Sequence, residues 1–481
     1  MRRGPHPAAL VAAGLVAGLV ATGVGCTDDD DAGGAGSTTS TSEVRATPGA
    51  PGVGDPYFPE LGNGGYDVRH YRLRLDWDGR GRLGGVARIE MTATQDLSGF
   101  DLDLAGLDVA RVTVGDAEVP FAREGNELVV TLPEPIPEDE TFVTTVAYGG
   151  VPRPLDEATD YFDPGWQTDG AEAFVVAEPG GARTFFPAND HPSDKATFTI
   201  VVGAPAEMTV AANGTLVGQP ELEEGGARAW TYEVTEPMAT YLVQVGIGDL
   251  ELVDAGTVEG VRIRHALHRS FLEEARGTVS RTGEMLRLLD DVWGPYPFAA
   301  YGVLAVDEPL GFALETQTLT LIGSDTATDG RRSDPLLLHE LAHQWVGNAV
   351  SPATWKDIWL NEGFATYSEW LWFERTVGSP AAGFARRISG PGNDVPPGDP
   401  GPDELFGTSV YERGAATLQA LREAVGDDAF FRILRTWVDR HRGGVASTPE
   451  LVALAEEISG NGDLDALFQR WLYEPGLPTL D

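Results

Sequence analysis

Five consecutive residues constrain this chain most: His339-Glu340-Leu341-Ala342-His343. For the two histidines to act together the segment must be helical, because residues four apart in an α-helix lie one turn apart on one face. Ser333 and Asp334 are the expected caps, and Pro335 suits the first turn. Leu336, Leu337, Leu341 and Trp345 can bury the opposite side. Two imidazoles on one face suit zinc, which takes N, S and O donors in a tetrahedral arrangement. Glu340 lies beside that face, within reach of a water activated there.

Glu362 stands nineteen residues after His343, in Asn361-Glu362-Gly363-Phe364-Ala365, where a second helical pattern opens. The intervening segment, residues 347–359, carries Asn, Ser and Pro and has room to turn back. The expected ligand set is therefore His339, His343 and Glu362 around one zinc ion. Three protein ligands leave a fourth position open, as at a catalytic zinc and not at a structural one.

The chain has 481 residues, which predicts two domains after a leader. From residue 65 onward, short stretches alternate apolar and polar side chains: Tyr71–Trp77, Val86–Ala93, Glu127–Leu132, Thr141–Tyr148, Thr197–Val202 and Ala229–Val234. Gly, Pro, Asn and Asp separate them, the pattern of an all-β, sandwich-like domain. After about Glu251 the pattern changes. Phe271–Trp293 has helical spacing, Tyr301–Val306 and Thr318–Ile322 read as strands, and helices dominate from Asp334. The expected helices are Pro335–Val346, Asn361–Thr376, Gly414–Val425, Ala429–Arg442 and Thr448–Ile458.

Ahead of both domains, Arg2 and Arg3 precede an apolar run from Ala8 to about Val24, the layout of a secretory signal. Cys26, the only cysteine, closes it, so no intramolecular disulfide and no thiolate zinc site can form. The segment resembles a bacterial lipoprotein signal, which implies a lipid anchor on Cys26 and a protein exported to the cell surface. Gly23 stands three before the cysteine where that pattern usually has Leu, so ordinary cleavage near residues 21–23 and free secretion stay open, as does a transmembrane anchor. The expected layout is a signal over 1–26, a Gly/Ser/Thr/Asp-rich tether over 27–58, a β domain over 59–252 and a zinc domain over 253–481. The formal net charge of −40 argues against nucleic acid as a partner.

The motif HELAHQ and the Glu of LNEGFA, with eighteen residues between His343 and Glu362, resemble the aminopeptidase N family of gluzincin zinc metallopeptidases. Asp67-Val68-Arg69-His70-Tyr71, Asp194-Lys195-Ala196-Thr197-Phe198 and Asn213-Gly214-Thr215-Leu216 are similar to that family's N-terminal β domain. The resemblance implies a thermolysin-like, α+β, mainly helical catalytic domain after the β domain, and hydrolysis of the first bond of peptides with a free N-terminus. It implies Glu340 as general base. Tyr411, in Tyr411-Glu412-Arg413-Gly414, resembles the tyrosine of the family's YxKG and is the expected oxyanion donor. Glu315, in Gly311-Phe312-Ala313-Leu314-Glu315-Thr316, falls where the family has the Glu of GxMEN, and Glu178 falls where the β domain contributes a second carboxylate. Both are expected to hold the substrate ammonium, and Asn361 is expected to orient a metal ligand. Phe312, Leu314, Thr316 and Val176 replace the family's usual Gly, Met, Asn and Gln. A monomer is expected. The alternatives are a thermolysin-like endopeptidase, a catalytically silent surface binding protein on this fold and, more distantly, an epoxide hydrolase.

Overall fold

In the computed structural model, residues 45–155 and 163–480 are described. The leader, Cys26 and the tether up to residue 44 lie outside them. Among the described residues no helix is long and apolar enough to cross a membrane.

The β-rich half is built on one nine-stranded sheet. Its centre runs Ala227–Ala239, Lys195–Pro205, Tyr66–Trp77, Leu83–Ala93 and Thr141–Gly150. Tyr66–Trp77 pairs parallel with Lys195–Pro205 and antiparallel with Leu83–Ala93. The alternation read from the sequence has its cause here: Tyr71, Leu73, Leu75 and Trp77 point into the core, while Arg72 and Arg74 point away. A four-stranded sheet that includes Leu97–Asp103 and Glu127–Ile136 belongs to the same half. So does another that includes Ala173–Val176 and Val245–Gly248.

The second half opens with a six-stranded sheet that begins at Leu250 and has Ala313–Leu314 at one edge. Helices follow, of which three position the site: α1 (Asp334–Ala342), α2 (Trp359–Val377) and α3 (Gly414–Val425). Between α1 and α2 the chain forms a short strand, Val350–Pro352, paired with Gly444–Ala446, then a 3-10 turn at Trp355–Asp357. This is the reversal that brings Glu362 back.

Two expectations are corrected. Neither Ser333 nor Asp334 caps α1. A 3-10 turn, Gly330–Ser333, runs directly into the helix; Ser333 Oγ donates to the Thr326 carbonyl, and Asp334 takes a hydrogen bond from Arg281. Nor does the tether extend to residue 58. Thr47–Pro48 pairs with Leu97–Asp103, and Asp55 is 2% exposed. Its carboxylate accepts from the backbone N–H of Tyr57, Phe58 and Trp355 and bonds His191 Nε2 at 3.1 Å. An acidic loop residue thus clasps the β half, through His191, to the helical half, through Trp355. Lys195 makes a second tie: its Nζ donates to the carbonyls of Asn348, Ala349 and Gly444.

Candidate active site

The periodicity of α1 sets His339 and His343 side by side, with ring centroids 4.8 Å apart. The first turn of α2 delivers Glu362, whose Oε2 lies 3.1 Å from His339 Nε2 and 3.4 Å from His343 Nε2. All three are buried. Each histidine's other nitrogen is engaged: His339 Nδ1 bonds Glu369 Oε1 at 2.8 Å, and His343 Nδ1 bonds the Val346 carbonyl at 3.0 Å. Those partners accept hydrogen bonds, so the Nδ1 positions carry the protons and both Nε2 lone pairs face Glu362. Two imidazole nitrogens and one carboxylate oxygen, all within 4.8 Å of one another, are a donor set that fits zinc. With the imidazoles beside it, Glu362 is driven down to about 2, although burial alone would raise it.

Glu340 follows His339 on α1 and is buried. Burial, opposed by His339 and His343, pushes its carboxyl up to about 8. Tyr411 sits in a π-helical turn, Ser409–Arg413, ahead of α3. Its ring stacks on His339 at 5.9 Å and 22°. Burial and then the charge of Glu362 hold its phenol well above the ordinary range, so it keeps its proton and can donate. Two glycines make this approach possible. A Cβ on Gly363 would come 2.8 Å from the Gly414 carbonyl carbon, and one on Gly414 would come 3.0 Å from Gly363 Cα. Here α2 and α3 touch backbone to backbone. Arg413, fully buried, fixes the turn by donating to the carbonyls of Trp471, Arg470 and Glu474.

Two more carboxylates converge from different strands. Glu178 lies two residues past Ala173–Val176 of the β half, and Glu315 directly follows the edge strand Ala313–Leu314. Oxygens of Glu178, Glu315 and Glu362 lie within 4.8 Å of one another. Glu178 Oε1 and Glu315 Oε1 are buried with no hydrogen-bond partner among the described residues. Burial, and for Glu178 also the charge of Glu315, lifts both above the usual carboxylate range. Buried, orphaned carboxylates this close require positive charge to stay ionised.

Residues 68–242 match the peptidase M1 N-terminal domain and residues 279–389 the peptidase family M1 domain. The crystal structure of an M1 zinc metallopeptidase from Deinococcus radiodurans is 35% identical, with a TM-score of 0.81; the match covers 89% of this chain and 98% of that one. The chain belongs to the M1 peptidase family. A mutant of that bacterial M1 protein, bound to a Tyr-Ser-Ala substrate, aligns at 34% identity with a TM-score of 0.82, over 89% of this chain and 99% of that one. Aminopeptidase M1-A of Oryza sativa subsp. japonica is 28% identical over 453 residues, which is 86% of this chain and 51% of the rice protein. This M1 chain therefore spans about half the length of the curated relatives it matches.

The M1 site brings His339, Glu340, His343, Glu362, Glu178, Glu315 and Tyr411 together. Asn361 stands apart from them in role. It lies beside Gly347, where a Cβ would come 3.3 Å from its amide, and makes no hydrogen bond to His339, His343 or Glu362. The orienting bonds expected of it come from Glu369 and the Val346 carbonyl. Glu369 was detectable in principle, since it lies seven residues after Glu362 on the same face of α2. Gln344 and Asn348 also went unread. Both donate to the Glu315 carbonyl, at 2.9 and 2.6 Å, and so tie the anchor strand to the end of the metal helix.

Proposed function

We propose that this M1 chain is a zinc-dependent aminopeptidase that removes the first residue of peptides with a free N-terminus. The observation that carries the reading is the pair of orphaned oxygens on Glu178 and Glu315, next to Glu362 of the metal triad. A substrate ammonium is the cation of matching size and charge, and charge-assisted hydrogen bonds to two carboxylates would hold it in one register. That register brings the first peptide bond to His339, His343 and Glu362. Zinc held by these three supplies Lewis acidity for the scissile carbonyl and for the attacking water. Glu340 takes the proton from that water and passes it to the leaving amine. The Tyr411 hydroxyl donates to the carbonyl oxygen as negative charge develops there.

The leader and Cys26 support export and a lipid anchor, which the mass of the mature N-terminal peptide would test. For the activity, aminoacyl anilides with a free amine should be cleaved and their N-acetylated counterparts should not. Equal rates on both would reject the exopeptidase reading in favour of an endopeptidase.

A further inference from the structure

A cavity of about 500 Å³ opens beside the metal triad on the side of His339 and Tyr411. Tyr411 lines it, as does Glu369, the residue bonded to His339. Neither Glu178, Glu315 nor His343 does. If a substrate's amino end is held by Glu178 and Glu315, this is the side left for the portion beyond the scissile bond. The wall continues the metal-binding face of α2: Thr366, Glu369 and Trp370 follow Glu362 by four, seven and eight residues.

Two uncommitted groups line this cavity. Thr366 is 7% exposed, and its buried Oγ1 has no hydrogen-bond partner among the described residues. Arg387 is the only cation in the lining, and among the described residues no carboxylate pairs with it. Its neighbour Arg386 contrasts with it by pairing with Glu423 on the surface. Arg387 is an exposed residue whose guanidinium packs on an aromatic cluster. Its carbon lies 4.9 Å from the Phe384 ring centroid, and Phe384 stacks on Trp370 at 6.0 Å and on Phe373 at 5.3 Å. The two carboxylates in the wall are already used: Glu369 by His339, and Glu412 by Asn393 Nδ2 at 2.7 Å. What the cavity offers a ligand is the buried, unpartnered Thr366 hydroxyl and a guanidinium packed on an aromatic ring, which is carboxylate-binding chemistry.

We infer that Arg387, with Thr366, recognises a carboxylate on the leaving side of the substrate, which makes short peptides with a free C-terminus, or peptides with an acidic second residue, the preferred class. The inference rests on the aminopeptidase reading, which orients the peptide. The test compares three dipeptides with the same first residue on the zinc-loaded full chain: a free acid with Gly second, its C-terminal amide, and an amide with Glu second. The wild-type chain should favour a carboxylate-bearing dipeptide over the neutral amide by roughly tenfold in kcat/KM, mostly through KM. Preference for the free acid identifies the terminal carboxylate as the ligand, and preference for the Glu amide identifies the side chain. In Arg387→Ala that ratio should fall to near one, and Arg387→Lys should keep part of it. The ratio is taken within each protein, so general damage cancels. A wild-type ratio near one, or an unchanged ratio in Arg387→Ala, would overturn the inference. Hydrolysis of an aminoacyl anilide, which has no carboxylate, reports separately on the aminopeptidase reading. Should that hydrolysis be absent, calorimetric binding of the acid and the amide to the same two proteins still decides the role of Arg387: tighter acid binding lost in Arg387→Ala supports it, and equal binding overturns it.

Discussion

The two halves of the site are built differently. The metal half comes from two neighbouring helices, with all three ligands inside residues 339–362. The anchor half is assembled from Glu178, just past a strand of the β domain, and Glu315, just past an edge strand of the catalytic sheet, 137 positions apart in sequence. One turn of helix periodicity sets the histidine pair of the first, and a short local reversal brings Glu362 to it. The second exists only if the two halves of the chain dock correctly, through ties such as Asp55 and Lys195. On the function proposed above, the difference separates chemistry from selectivity: the metal half would determine whether a bond is broken, the anchor half which bond.

The largest effect should come from the metal half. Glu340→Gln should lower kcat by roughly 10³-fold or more while zinc content, read by atomic absorption, stays at the wild-type level. Retained turnover would remove the general base from the account. Next, Glu178→Gln and Glu315→Gln should raise KM for free-amine substrates by roughly 30-fold or more, since each leaves a buried ammonium with an incomplete partner. If the two variants lose kcat alone, with KM unchanged, the division between the halves breaks down.

How much of this could be read in advance follows the same division. His339, Glu340, His343 and Glu362 were legible because helix geometry turns a spacing of four, and a reversal of nineteen, into a shared face. The strands were legible because a half-buried sheet forces alternation, as in Tyr71–Trp77. Glu178, Glu315 and Tyr411 were not readable from spacing, and only a resemblance singled them out. Their meeting depends on a glycine contact, Gly363 against Gly414, and on domain docking, neither of which has a local pattern. The clasp by Asp55 was missed because Pro, Gly and Asp in a row read as a tether whether or not a buried histidine waits for the carboxylate.

Smaller effects sharpen the comparison. Glu369→Gln should weaken zinc affinity by roughly 10–100-fold, because it loosens the proton position and tilt of His339 without removing a ligand. A competition titration with a chelator measures this, and unchanged affinity would confine the metal half to its three ligands. Asp55→Ala should cost roughly 2–3 kcal/mol of stability and leave zinc affinity intact, since it loosens only the docking. Burial raises the Asp55 carboxyl, yet His191 and the backbone N–H donors outweigh it and hold it below its ordinary value of 3.8. Its stabilisation is therefore present above that value and is lost as pH falls through the lower, folded one. Thermal melts of wild type and variant should differ at neutral pH and converge in acid. A gap that does not close in acid would mean the carboxylate charge is not what clasps the halves.

The most direct test follows the products of one short, unblocked peptide by mass spectrometry as the zinc-loaded chain acts on it. If Glu178 and Glu315 set the register over His339, His343 and Glu362, single residues should be released in order from the amino end, and acetylating that end should stop the reaction. Internal fragments, or the same products from the acetylated peptide, would contradict the account.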